Sequence, residues 1–290
     1  MPTRCPHCQL ENPQGLSFVC YGFYFRTDDS RWIQRYRCRR CRRTCSKDMG
    51  GRWFRSKKRR HHEWLRRHFA SLGAIRRGAY NLRLNRKTIA RKLVILGEVA
   101  EENLRAGNLL HEKARVVQFD DLETFEHTKC KPISITLAVQ NRTRRILGLE
   151  IASMPAKGPL AEKSRELYGF RADDRPEART LLFNRLKELV HEEAEFCSDM
   201  NPAYPNVVKE HFPKANHITF LSRRGSLGGG GELKQGGFDP LFSLNHTCAS
   251  FRMNVTRLLR KTWYTTKRPD RLRAHLFLYA DFHNTKLEDK

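Results

Sequence analysis

The chain has 290 residues and a formal net charge of +25, with 56 Lys and Arg against 31 Asp and Glu. This length accommodates a full catalytic domain with one or two small modules, and the charge indicates an anionic partner. No apolar run is long enough to span a membrane and no lipidation motif is present, so a membrane is not the expected partner. The N-terminus lacks an apolar signal region, which predicts a cytoplasmic protein whose nine cysteines serve metal binding before disulfides.

The positive charge is concentrated in the N-terminal third. Residues 1–97 hold 25 Lys and Arg against 5 Asp and Glu, whereas residues 98–290 hold 31 against 26. A strongly basic segment beside a nearly neutral one is typical of a nucleic-acid-binding module attached to a milder domain. We therefore expect affinity for DNA to reside mainly in residues 1–97.

Two CxxC motifs give the strongest local signal, and they supply Cys5, Cys8, Cys38 and Cys41. Each pair can offer two thiolates to one tetrahedral Zn²⁺, and the runs at 16–25 and 31–37 suit a β-hairpin between them. The spacer is longer than the usual range of roughly 15–20 residues. A redox role would need a βαβ context, which is absent. We predict a zinc ribbon over residues 1–48, with Cys45 as a reserve ligand.

A basic connector and a first helix follow the cysteine motifs. In the connector, residues 50–62, cations are interleaved with Trp53 and Phe54, so it either follows a phosphate backbone or is a solvated linker. From Glu63 the apolar spacing becomes helical, and the predicted helix ends near Gly78. Its inward face is predicted to carry Trp64, Phe69, Leu72 and Ile75.

A second helix is predicted after a turn at residues 82–85. Asn85 is a good N-cap, and Ile89, Leu93 and Leu96 have the spacing of an inward face. The outward side chains of the first turns are Arg86, Lys87, Thr88 and Arg91. Helix-turn-helix proteins present such turns to base edges, although ordinary helical hairpins have the same pattern. We predict a connector and helix-turn-helix over residues 49–97, which a helical linker at 98–113 follows.

The remaining sequence alternates strand and helix patterns. β-Branched and aromatic runs predict strands at 115–126, 133–139, 145–151, 195–199 and 217–221. Helical spacing predicts helices at 177–193, 202–211, 239–264 and 271–282, with residues 155–176 irregular. The inward side chains are expected to be Leu181, Leu182, Leu186, Leu189 and Val190 in the first of these helices, and Phe251, Val255, Leu258 and Leu259 in the third. The glycine-rich segment 223–238 lacks the Lys-Ser/Thr ending of a phosphate-binding loop.

An acidic pair, Asp120 and Asp121, interrupts the first apolar strand of this region. Burying such a pair is costly unless it meets a cation, so a metal is the natural partner. The alternative is one buried and one solvated carboxylate. Because neighbours in a strand alternate faces, Asp121 is expected to point away from Asp120.

The order of elements and several motifs resemble one class of known enzymes. The order β-β-β-α-β-α-β-α, with acids in the first and fourth strands, resembles the RNase H-like core of DDE transposases and retroviral integrases. The matching motifs are Phe119-Asp120-Asp121-x-x-Thr-Phe125, Ser198-Asp199-x-x-Pro-x-Tyr204 and Asn245-His-x-x-x-x-Phe-Arg252-x-x-x-x-Arg257-Leu-Leu-Arg-Lys-Thr262. With the cysteine-rich head, the chain is similar over nearly its whole length to bacterial insertion-sequence transposases that carry a zinc ribbon.

This resemblance implies a fold, a partner and a chemistry. The fold would be a multi-domain α+β protein whose catalytic domain, residues 114–290, contains a mixed five-stranded sheet. The partner would be the double-stranded terminal repeats of its own element and target DNA, bound by a homodimer or higher oligomer in the bacterial nucleoid. Arg252 and Arg257 would contact DNA. Asp120 and Asp199 would share two Mg²⁺ or Mn²⁺ ions, one activating the attacking oxygen and one stabilising the leaving oxygen.

The resemblance breaks at the third acid. The family places it on the helix after the fifth strand, where this chain has Asn245. An amide oxygen can bind Mg²⁺ without contributing charge, and Asn245 is also a suitable N-cap. Asp239 and Glu232 lie on the preceding loop and could replace it. Three possibilities stay open: an active Asp-Asp-Asn enzyme, a site completed by a loop acid, or a non-enzymatic DNA-binding protein such as a regulator or an inactivated transposase.

Overall fold

The structure is a computed structural model that describes residues 1–12, 14–47, 49, 56–221, 239–259 and 264–288. The chain forms two compact units, Met1–Leu65 and Arg66–Lys290. The described residues contain eight α-helices, one three-stranded sheet and one mixed five-stranded sheet, so the predicted α+β class is confirmed. None of the helices within these ranges is long and apolar enough to cross a membrane.

The N-terminal unit is built on a small antiparallel sheet. Its strands are β1 (Phe18–Arg26), β2 (Arg31–Cys38) and β3 (Thr44–Ser46), in the order β1-β2-β3. The predicted hairpin is therefore present, while the three-residue strand β3 was not predicted. Because β3 pairs only with residues 35–37 of β2, the outer half of the hairpin has two strands. The core consists of cysteines packed against Phe18.

The C-terminal unit is built on the five-stranded sheet. Its strands are β4 (Ala114–Phe125), β5 (Pro132–Gln140), β6 (Ile146–Ser153), β7 (Val190–Asp199) and β8 (Asn216–Phe220). Their order is β6-β5-β4-β7-β8; β4, β5 and β6 pair antiparallel, whereas β7 and β8 continue parallel to β4. All five predicted strands occur, and β7 begins earlier than predicted. Seven consecutive buried residues in β5 mark a central strand covered on both faces.

Eight helices complete the described fold. They are α1 (His62–Ala70), α2 (Ile75–Asn81), α3 (Arg86–Asn108), α4 (Leu160–Tyr168), α5 (Arg175–Leu186), α6 (Tyr204–His211), α7 (Phe242–Asn254) and α8 (Pro269–Glu288). On one face of the sheet, Phe183 of α5 joins Phe119 and Phe196 in an aromatic core. On the other face, the side chain of Gln118 bonds to the backbone of Leu244 in α7. Helices α3 and α8 pack together beside β6.

The long predicted helix from Glu63 to Gly78 is wrong, because the chain forms α1 and α2 instead. Leu72 adopts a left-handed conformation (φ 59°), and a side chain at Gly73 would collide with the carbonyl of His68. A continuous helix cannot pass such a turn. Trp64 and Leu72 are exposed rather than inward, whereas Phe69 is fully buried as predicted.

Two other predicted helices end earlier in the structure, and one segment predicted to be irregular contains a helix. The helix at 177–193 ends at Leu186, because Val190 already pairs with Ala114 in the sheet, and Leu181 is exposed. Residues 155–176 include α4. The predicted helix at 239–264 ends at Asn254, whose side chain bonds back to the carbonyl of Ser250. Residues 260–263 and Glu232 lie outside the described residues.

Helix α3 continues the predicted recognition helix deep into the C-terminal unit. Asn85 caps it as predicted, with its side-chain oxygen accepting the backbone N–H of Lys87 at 2.8 Å. The helix then runs through residue 97, where the glycine lets the backbone of Ala274 in α8 approach. Arg273 of α8 also pairs with Glu101 of α3. A boundary at 97 would fall inside this helix, and the division into four domains stays a prediction.

Candidate functional site

The four predicted cysteines form one cluster in the N-terminal unit. Their sulfurs all lie within 4.8 Å of one another, and the described residues contain no other such group of three or more Cys, His, Asp or Glu side chains. The Sγ atoms of Cys5 and Cys41 are 3.7 Å apart, as are those of Cys8 and Cys38. A tetrahedral ion with metal–sulfur bonds of about 2.3 Å separates its ligands by roughly 3.8 Å. The cluster can therefore hold a structural metal such as zinc.

The surroundings of the cluster favour the thiolate of Cys5 but not that of Cys41. Although the backbone N–H of Arg43 lowers the pKa of Cys41, burial and hydrogen bonds with the other three cysteines raise it to about 11. Although burial opposes ionisation of Cys5, the backbone N–H groups of Cys8 and His7 outweigh it and lower the pKa of Cys5 to about 6. Cys45 is buried beside the cluster, yet it is not one of the four clustered ligands. Burial, followed by the charges of Cys5 and Cys38, raises the pKa of Cys45 to about 11, so Cys45 is a packing residue here.

The N-terminal unit is expected to bind one Zn²⁺ per chain. Cys38→Ser should lose the metal, because a tetrahedral site needs its fourth thiolate, and the unit should then lose order. Elemental analysis after purification without chelators measures the zinc content. Cys20→Ser, which removes an exposed cysteine outside the cluster, is the control and should retain a full equivalent. Unchanged zinc in Cys38→Ser would refute the assignment.

The sheet of the C-terminal unit brings Asp120 and Asp199 together. Parallel strands β4 and β7 pair as far as Gln118 and Cys197, and each aspartate lies two residues beyond its strand's last pair. Residues two apart in a strand share a face, so both carboxylates lie on the same face of the sheet. They also lie at matching positions along the two strands. The charge of Asp199 helps to raise the pKa of Asp120, in agreement with this placement.

The surroundings of Asp120 oppose its negative charge. Burial comes first and the charge of Asp199 second in raising the pKa of Asp120 to about 6. Two hydrogen bonds to Oδ1 oppose this shift, one from the Asp121 N–H at 2.7 Å and one from the Tyr204 hydroxyl at 2.9 Å. Both bonds use the same oxygen. A divalent cation at Oδ2 would supply the missing positive charge.

Asp121 points to the opposite face, as predicted. Its carboxylate accepts hydrogen bonds from Thr136 at 2.6 Å and from Arg179 of α5, and the side chains of Asp121 and Arg179 are both more than nine-tenths buried. The Arg179 guanidinium also lies 5.1 Å from the centre of the Tyr204 ring. Asp121 therefore has a cationic partner within the protein. The same guanidinium lies over the ring of Tyr204, whose hydroxyl donates to Asp120.

Helix α7 does not bring a third carboxylate to this pair. Asn245 is exposed, and its Nδ2 donates to Asp239 Oδ2 at 2.9 Å, while Asp239 Oδ1 accepts the N–H of Leu241 at 3.0 Å. The α7 side chain whose pKa responds to the charge of Asp120 is Cys248, one helical turn after Asn245. Burial and then the charge of Asp120 raise the pKa of Cys248 to about 12. A protonated thiol is a poor ligand for Mg²⁺.

The predicted DNA-binding residues fall on two parts of the C-terminal unit. Arg86, Lys87 and Arg91 are exposed at the start of α3, and Thr88 is half-buried. Arg252 is half-buried on α7. Arg257 lies in a 3-10 turn after α7, where it donates to Thr266 at 3.3 Å and burial lowers its pKa to about 10.

No protein-family model and no curated protein matches the sequence.

Sequence reasoning missed three residues of the Asp120 site. Tyr204 belongs to a recognised motif, but its hydroxyl could have been assigned to Asp120 only from the position of α6. Cys248 follows Asn245 by three residues and thus shares its helix face, a signal that helical spacing offers. Nothing in the sequence pairs Arg179 with Asp121, which lies 58 residues earlier.

The two neighbouring aspartates should respond oppositely to removal of their charge. In a chelator at pH 7.5, Asp120→Asn should stabilise the protein by about 1–3 kcal/mol. Folding raises the pKa of Asp120 from 3.8 to about 6, so the folded state binds more protons and loses stability as pH rises through that window. At pH 4 the gain should fall below about 1 kcal/mol.

Asp121→Asn is the matched control on the same strand. It leaves the Arg179 guanidinium buried without its charge partner and should destabilise the protein by about 3–5 kcal/mol. Denaturant unfolding at pH 4 and pH 7.5 measures both variants. Equal destabilisation by both substitutions at pH 7.5 would contradict the assigned environments.

Proposed function

We propose that this protein is a DNA transposase of an insertion sequence, which binds the ends of its element and cuts and joins DNA strands with divalent metal ions. The observation that carries the proposal is the pairing of β4 with β7, because it sets Asp120 and Asp199 on one face, where the charge of Asp199 acts on Asp120. Two such carboxylates suit a pair of Mg²⁺ or Mn²⁺ ions for in-line displacement at phosphorus.

The topology supports the same proposal. In chain order the sheet reads third-second-first-fourth-fifth, with the first three strands antiparallel and the last two parallel to the first. This is the strand order of the RNase H-like fold that the sequence resembles. Asp120 in the first strand and Asp199 at the end of the fourth occupy the positions of that fold's first two acids.

In the proposed reaction, Asp120 and Asp199 would bind the ions through their carboxylate oxygens. The ions would supply Lewis acidity, activating the attacking oxygen and stabilising the leaving oxygen. Tyr204 would hold Asp120 Oδ1 and leave Oδ2 directed at the cation. Because Asn245 and Asp239 already bond to each other, they would approach the metal as a pair, with Asp239 supplying charge and Asn245 orienting it.

Sequence preference is assigned to the start of α3. Helices α2 and α3 are joined by a short turn, and the exposed first turns of α3 carry Arg86, Lys87 and Arg91. The far half of α3 packs against α8 and β6, so the helix that carries these cations is anchored on the five-stranded sheet. A recognition helix placed this way would fix the position of the cut relative to the bound repeat.

Removing cations from the start of α3 should weaken cognate DNA binding. Arg86→Ala and Arg91→Ala should each lose about 1–3 kcal/mol where the side chain meets a base, and should relax the sequence preference. Arg105→Ala is the control, since it removes an exposed cation from the other end of the same helix. Fluorescence anisotropy with duplexes from the DNA that flanks the coding sequence measures the affinities. An equal loss in the control would contradict the assignment.

Strand cleavage tests the catalytic proposal. Wild-type protein with Mn²⁺ should nick duplexes that carry the inverted repeats flanking its coding sequence, and Asp199→Asn should abolish nicking while leaving binding intact. Loss of activity in Asp239→Asn with tolerance of Asn245→Ala would make the loop acid the third ligand. Higher activity in Asn245→Glu would instead show an under-charged triad.

One observation favours a second candidate, a DNA-binding protein without catalysis. Within the described residues no third acid approaches Asp120 and Asp199, and the α7 side chain that senses Asp120 is a thiol. If wild-type and Asn245→Glu proteins both bind the repeats but never nick them, the catalytic proposal is lost and this candidate stands.

A further inference from the structure

The outer half of the β1–β2 hairpin exposes three aromatic side chains, Phe23, Phe25 and Trp32, which we call the aromatic tip. Their exposed fractions are 59%, 47% and 70%. Phe25 and Trp32 are partners across the two strands, with ring centroids 5.4 Å apart, and Phe23 lies two residues before Phe25 on the same edge strand. Such a cluster on a small unit marks an interaction site.

Cations accompany the aromatic tip on the same hairpin. Arg31, Arg35 and Arg37 alternate along β2 with Trp32 and its face-mates, so they project from the opposite face. The guanidinium groups of Arg35 and Arg37 lie 5.6 Å and 5.5 Å from the ring centre of Tyr21. Tyr21 belongs to β1, an edge strand of the sheet, so both guanidinium groups lie beside that open edge.

The net positive charge of the N-terminal unit favours a negatively charged partner. Residues 1–65 hold 16 Lys and Arg against 5 Asp and Glu, so two copies of this surface would repel each other and a polyanion would be attracted. Among polyanions, duplex DNA already stacks its bases on one another and offers little to exposed rings. Unpaired bases have free faces, and aromatic side chains bind them by stacking irrespective of sequence.

We propose that the β1–β2 hairpin binds single-stranded DNA along its open edge. Unpaired bases stack on Phe25 and Trp32, and Arg35 and Arg37 hold the adjacent phosphates. This adds a substrate class to the proposed function and rests on it only for the origin of the strand. The binding itself depends on the N-terminal unit and requires no catalysis.

Binding to a strand without bases isolates the stacking contribution. The full-length zinc-loaded protein is titrated into a fluorescein-labelled oligothymidylate and into an abasic strand of the same length. Trp32→Ala should weaken binding of the oligothymidylate by about 5- to 150-fold and leave the abasic affinity unchanged. Trp32→Phe should retain most of the affinity, because a ring remains. Arg35→Ala should weaken binding of both oligonucleotides equally. It should also reduce the slope of log affinity against log salt concentration by about one.

Two controls keep the result interpretable. Phe170→Ala removes a ring that is 89% exposed in the other unit and should change neither affinity. A full equivalent of zinc in each variant shows that the N-terminal unit is folded. Equal wild-type binding to both strands, or an equal effect of Trp32→Ala on both, overturns the proposal. So does a Trp32→Ala protein that loses only self-association in light scattering.

The two proposals can fail separately. Base-dependent binding in a protein that never nicks its end DNA would remove the proposed catalysis and keep this surface. Nicking by a protein that binds both strands equally would remove this surface and keep the catalysis.

Discussion

The parallel pairing of β4 with β7 is the constraint on which the candidate site depends. It brings together two acids that are 79 positions apart in the sequence and sets them on one face of the sheet. Nothing in either strand alone would bring these carboxylates close, and their mutual repulsion opposes the arrangement. The aromatic core around Phe119, Phe183 and Phe196 on the other face holds the strands in this register.

The adjacent aspartates in β4 lie in opposite electrostatic environments, and this contrast is the strongest physical sign of function. Asp121 has a buried cation and a hydroxyl donor, so its charge is satisfied by the protein. Asp120 has a phenol and a backbone N–H on one oxygen, a second carboxylate nearby and a raised pKa. A buried carboxylate whose pKa is raised by burial and by a second carboxylate is a candidate ligand for a cation.

The sequence predicted local features and missed those made by distant segments. Alternating and apolar runs located all five strands of the larger sheet, the CxxC spacing identified the cysteine cluster, and Asn85 was correctly assigned as a cap. The break between α1 and α2 escaped because Leu72 takes a left-handed turn that apolar spacing does not record. The Tyr204 and Arg179 contacts depend on where α5 and α6 pack, which no local pattern encodes.

The position of a bound divalent ion is the most direct test of the proposed metal site. Crystals grown with MnCl₂ and measured at the manganese absorption edge locate the metal without reference to activity or to any assumed DNA sequence. We expect anomalous density between the carboxylates of Asp120 and Asp199, with the Tyr204 hydroxyl still bonded to Asp120 Oδ1. Manganese that binds elsewhere, or an empty space between these carboxylates at saturating MnCl₂, would contradict it.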